Sequence, residues 1–169
     1  HQRHAQAIHQ TQAEARSVRK PTLAMPENPE YVRLWQLARP VLQEAGLAGL
    51  TVVQLAETIR AKESILRDML HRRAQAGEAV RVTDDRFYSR ATMQRFIQVA
   101  REVANASPGG RFTAGKFRDG AGIGRALAVQ VLETLDRLGV THRIGDARVV
   151  RPPTRTSRSD SSARGDASP

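Results

Sequence analysis

The chain has 169 residues and no cysteine, which excludes disulfides, thiol nucleophiles and cysteine-based zinc sites. With 27 Lys and Arg against 17 Asp and Glu, a formal net charge of +10 and a pI near 11.3, the expected partner is polyanionic. No apolar run approaches the ~20 residues that span a bilayer and no charged-then-apolar leader opens the chain, so a soluble cytoplasmic protein with no membrane contact is expected.

Residues 1–29 read as a linker or partial helix. They carry good helix formers but few apolar residues, and Pro21, Pro26 and Pro29 interrupt them. The chain starts at His1 without an initiator methionine, which points to a piece of something larger. His1, His4 and His9 have no carboxylate or thiolate partner at ligand spacing and read as surface histidines, so no metal site and no cofactor are expected.

A first module is expected over 30–90. Its opening helix, PEYVRLWQLARPVLQEAG, lines up Leu34, Trp35, Ala38, Val41 and Leu42 on one face and stops at Gly46, with Pro40 as a potential kink. Trp35 reads as a core anchor rather than a base-stacking platform. Thr51 caps a short helix with Val52, Leu55, Ala56 and Ile59 inward. A third helix carries Ile65, Leu66, Met69, Leu70 and Ala74 and closes at Gly77. AVRV, the turn TDD and RFYS then form a hairpin wing.

The second module, 91–150, repeats that order. MQRFIQVAREVANA buries Phe96, Ile97, Val99, Ala100 and Val103, and SPGG ends it. Thr113 caps a short helix around Phe117, and Gly120, Ala121 and Gly122 are expected to form a tight turn. IGRALAVQVLETLDRLG buries Leu127, Ala128, Val131, Leu132 and Leu135 up to Gly139. VTHRI, Gly145-Asp146 and ARVV close a second hairpin. Residues 151–169, with four arginines, two aspartates and almost nothing to bury, read as a disordered basic tail.

Sliding the chain on itself without a gap sets Thr51 on Thr113, Leu55 on Phe117, Leu70 on Leu132, Gly77 on Gly139, Arg81 on Arg143, Asp84 on Asp146 and Arg86 on Arg148. A repeat of about 60 residues with helix ends and strand starts in register predicts two small domains. The fold class is α+β, mostly helical, with tandem winged-helix units: each is a helix-turn-helix followed by a β wing.

The candidate binding residues are Lys116, Arg118, Gly124, Arg125, His142, Arg143 and Arg148. Arg125 opens the third helix of the second module, where free N–H groups and the positive end of the helix dipole attract phosphate. Gly122 and Gly124 keep the preceding backbone bare. Lys116 and Arg118 project from the short helix, and Arg143 and Arg148 from the wing strands, so these five cations are expected to converge on one face. The competing reading pairs Arg118 with Asp119 or Asp136 and lets Arg143 and Arg148 merely cover the hairpin. In the first module Arg67, Arg72 and Arg73 are offset by Glu63, Asp68 and Glu78, as in a spacer. Arginine in this abundance suits forked contacts to phosphate and stacking on bases, although a GC-rich genome would also enrich it.

The run RFTAGKFRDGAGIGRALAVQVLETLDRLGVTHRIGDARVV resembles the last winged-helix domain of bacterial selenocysteine-specific elongation factors. The preceding stretch, with LW, ARPVL and GEAVRVTDDRFYSR, resembles the penultimate domain. The resemblance implies recognition of an mRNA hairpin beside an in-frame UGA codon, in the service of selenocysteine incorporation during protein biosynthesis on the ribosome. It also implies upstream GTPase and tRNA-binding domains. The chain has no G-x-x-x-x-G-K-[ST] loop, so it is expected to be no enzyme itself. Three positions depart from the family pattern: Arg125 is followed by Ala126 rather than a lysine, Arg143 by Ile144 rather than a second arginine, and Thr134 stands where an aromatic is common. A protonated His142 would restore the charge beside Arg143.

Two other classes fit the same elements. A winged-helix DNA-binding regulator would dimerise on a palindrome, but no dimer seam is evident, and a monomer is expected. A protein-interaction module would bind nucleic acid weakly and without sequence preference. Asp119, Asp136 and Asp146 read as capping and turn residues rather than catalytic ones.

Overall fold

A computed structural model of the chain describes residues 27–152. His1, His4 and His9, most of the leading segment and the basic tail after Pro152 lie outside the described residues.

Helix α1 (Pro29–Ala45) starts on Asn28, whose side chain accepts from the Glu30 amide at 3.0 Å. Pro29 sits where a helix needs no N–H, and the helix continues through Pro40. Leu34, Trp35, Ala38 and Leu42 are buried, while Val41 is only half-covered. Helix α2 (Val52–Ile59) opens with a reciprocal capping box. Thr51 Oγ1 accepts from the Gln54 amide at 3.2 Å and Gln54 Oε1 accepts from the Thr51 amide at 3.0 Å. Helix α3 (Glu63–Gln75) follows, then strands β1 (Ala79–Thr83) and β2 (Arg86–Ser89), paired antiparallel. Trp35 is the expected core anchor, 8% exposed with the Arg73 guanidinium 5.6 Å above its ring.

Ser89 ends β2 and at once caps α4 (Arg90–Asn105), accepting from the Thr92 amide at 3.2 Å, so no linker separates the two halves. A single 3₁₀ turn (Pro108–Gly110) occupies the SPGG stretch. Strand β3 (Phe112–Thr113), absent from the sequence reading, pairs with the last strand and makes a three-stranded sheet of order β3-β5-β4. Helix α5 (Ala114–Ala121) is capped by Thr113, helix α6 (Arg125–Arg137) follows, and β4 (Thr141–Ile144) and β5 (Ala147–Val150) form the second wing.

Gly120 and Ala121 belong to α5 and not to the expected turn. A Cβ on Gly120 would stand 2.8 Å from Val103, so its bare backbone is what lets α5 lie this close to α4. The turn itself is made by Gly122 alone, in the left-handed region at φ 67°. Its repeat partner, Arg60, holds the same conformation at φ 54° with a side chain attached, a strain of order 1 kcal/mol.

The repeat holds through the helices: α2 and α5, and α3 and α6, begin and end at equivalent positions. It slips in the wings. Arg81 faces Phe87 and the register shifts between Arg81 and Thr83, whereas Arg143 faces Arg148 with no shift. In sheet register Arg148 therefore stands where Phe87 does, not where Arg86 does, which corrects the ungapped pairing.

The first hairpin is covered on both sides. Ala79 and Phe87 belong to the core formed with α1, α2 and α3. Val82 and Tyr88 belong to the second core with Met93, Phe96, Phe117, Leu132 and Leu135, and Val80 packs against that core. Because strand side chains alternate, neighbouring Phe87 and Tyr88 enter opposite cores. Tyr88 Oη donates to the Leu47 carbonyl at 2.9 Å, and its ring meets Phe96 edge-on at 5.2 Å between centroids.

Burial pushes the Tyr88 phenol above the ordinary 10.0, with the Arg86 charge opposing the shift. A raised folded-state value means that the native state holds the proton more tightly than the unfolded chain does. That stabilisation is complete below pH 10 and is lost as pH rises through the folded value. Urea unfolding at neutral pH is expected to place Tyr88→Phe about 0.5–1.5 kcal/mol below the parent. Above pH 10 the gap should narrow, because only the parent has a phenol at this position that ionises more readily once unfolded; a gap that widens there would contradict this assignment.

Candidate nucleic-acid interface

The two copies start their equivalent helices with opposite chemistry. Gln54, which completes the capping box of α2, has Lys116 as its partner in α5. Lysine cannot accept a hydrogen bond, so Thr113 keeps only its own half of the box, accepting from the Lys116 amide at 3.3 Å. Glu63, the first residue of α3, has Arg125 as its partner at the start of α6. An acid there suits the positive helix end, whereas a cation opposes it by about 0.3–1 kcal/mol. The second copy thus gives up two stabilising helix starts and gains two exposed cations.

Nothing among the described residues neutralises them. Helix α6 has Gly124 at its N-cap with no side-chain hydrogen bond, so the first-turn amides are left to solvent or a ligand. Neither Arg125, Lys116 nor Arg143 has an ion-pair partner among the described residues. In the first copy Arg67, Arg72, Arg73 and Arg81 are occupied. Arg67 reaches Glu63 at 2.9 Å and Asp85 at 3.0 Å, and these hydrogen bonds raise its already high pKa. Arg73 reaches Glu78 at 2.7 Å and also Glu27, Arg81 reaches Asp84 at 2.7 Å, and Arg72 lies over the Tyr31 ring at 5.2 Å.

The seven sequence candidates do not all converge. Gly124 and Arg125 line one groove, with Ile123, Ala126, Leu127 and Gln130 beside them. Lys116 is exposed on the neighbouring α5. Arg118 is half-buried and its Nε donates to Asp119 at 3.0 Å, as the competing reading had it. Arg143 is exposed near the wing tip, with Nε donating to the Gly145 carbonyl at 3.0 Å and the rest of its guanidinium free of described acids.

Arg148 is a correction. Its side chain is 6% exposed and its Nε donates to Asp136 at 3.1 Å, while Asp136 also accepts from Thr141 Oγ1 at 2.5 Å. The inward register of β5 forces this: Arg148 shares its face with Phe112 and fills the place that Phe87 holds in the first copy. It is a core ion pair and not a ligand contact. His142 is a second correction, because it lies on the opposite face of β4 from Arg143 and so cannot restore charge beside it. Its Nδ1 sits 3.2 Å from Arg151 Nη2. Thr134, buried in α6, returns its hydroxyl to the Gln130 carbonyl at 2.8 Å, which makes the departure there one of packing.

The residue that sequence reasoning passed over is Arg86, which lines the same groove as Arg125 from the first module. Its signal was available in RFYS: two adjacent aromatics on a strand require both faces to be covered, and that brings the second module against this hairpin.

Known proteins carry the same pattern. The family described as elongation factor SelB, winged helix, matches residues 105–150, a span that holds all seven candidates. The mRNA-binding domain of elongation factor SelB from E. coli, solved in complex with SECIS RNA, superposes with a TM-score of 0.66 at 32% identity, covering 75% of this chain and 100% of that one. The chain belongs to the selenocysteine-specific elongation factor family.

Among full-length members, the selenocysteine-specific elongation factor of E. coli K12 is 33% identical over 122 residues, 72% of this chain and 19% of that protein. The Haemophilus influenzae factor is 25% identical over 124 residues, 73% of this chain and 20% of that protein. The chain thus spans about a fifth of these relatives' length. The crystal structure of a bacterial selenocysteine-specific elongation factor, at 19% identity and a TM-score of 0.58, shares the fold. The tandem winged-helix class expected from the sequence is the class observed. No helix among the described residues is long and apolar enough to cross a membrane.

The two wing arginines should separate cleanly on mutation. Arg148→Ala leaves Asp136 in the core without its partner and is expected to cost about 3 kcal/mol, the low end for a broken buried pair because Asp136 keeps 25% of its side chain exposed. Arg143→Ala should stay within about 0.5 kcal/mol of the parent. Paired denaturant melts check both values; equal losses would mean that Arg148 is not structural.

Proposed function

We propose that this chain is the mRNA-binding part of a selenocysteine-specific elongation factor and holds the loop of a hairpin beside an in-frame UGA codon. It acts in the cytoplasm as a monomer without a cofactor or chemistry of its own. The GTPase and tRNA-binding domains of the family, and through them the ribosome, belong to the full-length factor.

The observation that carries this reading is Arg125 at an uncapped, positive helix end, in a position where the first copy carries Glu63. A local rule broken with no compensating contact among the described residues marks a place where an external anion completes the structure. A-form RNA hides its major groove, so sequence is read in unpaired loop bases. Arg125 can stack on or bridge to such a base while the α6 amides and Lys116 hold phosphates. Exposed Arg143 on the wing adds a further phosphate contact, whereas Arg118 must leave Asp119 to join them. The SECIS RNA complex of the E. coli relative supports a hairpin over a DNA duplex as the partner.

Two substitutions test the division of labour. Arg125→Ala is expected to weaken hairpin binding by about 1–3 kcal/mol and to relax preference for the loop sequence. Lys116→Ala should weaken all RNAs alike and reduce the slope of log affinity against log salt by about 0.7–0.9. Parent-like affinity and loop preference in Arg125→Ala would remove the central contact of this reading.

A further inference from the structure

The groove at the start of α6 is not built by the second module alone. Its cavity of about 540 Å³ is lined on one side by Gly124, Arg125, Ala126 and Leu127 and on the other by Ala48 and Arg86 of the first module. That volume lies within the ~300–1,000 Å³ common for small-molecule sites. Arg86 is half-buried and held in place, with Nη1 donating to the Ala48 carbonyl at 2.6 Å. A guanidinium carries five N–H donors, so that anchor leaves further donors for the groove. Among the described residues no carboxylate lines it. The nearest acids in sequence, Asp84 and Asp85, are paired with Arg81 and Arg67. Two guanidinium groups thus share a cavity without internal neutralisation, next to the apolar surface of Ile123, Ala126 and Leu127.

We propose that Arg86 is a direct RNA contact: with Arg125 it grips the phosphate of one splayed loop nucleotide, whose base rests on the Ile123–Leu127 surface between the two modules. This rests on the hairpin-binding function proposed above and changes the role of the first module from spacer to second jaw. The chemistry matches on both counts. A phosphodiester takes forked donors from two sides, and an extruded base gains from contact with apolar side chains. The hairpin carrying Arg86 is clamped between two cores, so the jaws are set before RNA arrives and little ordering is required on binding.

The test is a set of cycles between protein variants and single-site methylphosphonates, which remove one phosphate charge at a time from the loop of a UGA-adjacent hairpin. Anisotropy titrations would compare the parent, Arg86→Gln and Arg125→Ala. Arg86→Gln is expected to bind about three- to tenfold more weakly and to lower the salt slope by about 0.7–0.9. One loop methylphosphonate that weakens the parent should cost Arg86→Gln clearly less, because only the Arg125 half of the grip is left to lose. If Arg86→Gln does not fold, Arg86→Lys is compared instead: it keeps the charge and a donor for the Ala48 carbonyl but loses the fork, so affinity should fall while the salt slope stays. Affinity within twofold of the parent for Arg86→Gln, with Arg125→Ala clearly weakened, would overturn the proposal and leave the hairpin function standing. A weakened Arg86→Gln for which every methylphosphonate costs as much as in the parent would also overturn it, assigning Arg86 a purely structural role. Parent-like binding by both variants would take down both readings.

Discussion

The structure depends on one strand pair being buried from both sides. A winged-helix hairpin is ordinarily free on its outer face, but here β1–β2 sends Ala79 and Phe87 into one core and Val82 and Tyr88 into the other. Each of the two aromatics removes a large apolar area from water, and truncating a ring of this kind costs about 3–5 kcal/mol. The chain then passes from β2 into α4 through Ser89 with no intervening linker. The two modules are consequently coupled through packing and through the backbone, and the first module's position relative to α6 is fixed by its own hairpin.

That coupling lets two nearly identical folds divide their labour. The second wing keeps the outer face that the first wing loses to the interface, leaving His142 and Ile144 exposed where Val80 and Val82 are covered. At the helix starts the first copy has residues chosen for stability, Gln54 in a capping box and Glu63 at the positive helix end. The second has Lys116 and Arg125 in their place. Arginines recur in both copies, but in the first Arg67, Arg73 and Arg81 are absorbed by Glu63, Glu78, Asp84 and Asp85, and Arg86 is left facing the groove. The local cost at α5 and α6 is affordable because the shared interface holds the second module from below. The net charge of +10 therefore says less about binding than the question of which cations lack partners.

Much of this was legible in the sequence. Amphipathic spacing placed Leu34, Leu55, Leu70, Phe96, Leu132 and Leu135, and the caps at Thr51 and Thr113 and the Gly145-Asp146 turn follow from local rules that act within a few residues. The site was legible as far as Arg125 and Lys116, because helix starts are local too. What the sequence hid depends on contacts between distant segments. Arg148 has the composition of a surface wing residue and becomes core only because β3 pairs with β5 and Asp136 lies beneath it. The gapless repeat concealed the slip at Val82, since a single extra residue in a short hairpin leaves the pattern of residue types almost unchanged. Arg86 was hidden for the same reason: its neighbour Arg125 comes from the other module.

In the proposed function, the cations left unpaired at the start of α6 read a hairpin loop. The most direct measurement is fluorescence anisotropy of the unaltered chain, at near-physiological salt, with a UGA-adjacent hairpin from its own genome. The same hairpin with a scrambled loop and a matched DNA duplex are the comparisons. A preference of about tenfold for the native loop, roughly 1.4 kcal/mol, is the predicted result. Equal binding to all three, or tighter binding to the duplex, would contradict it.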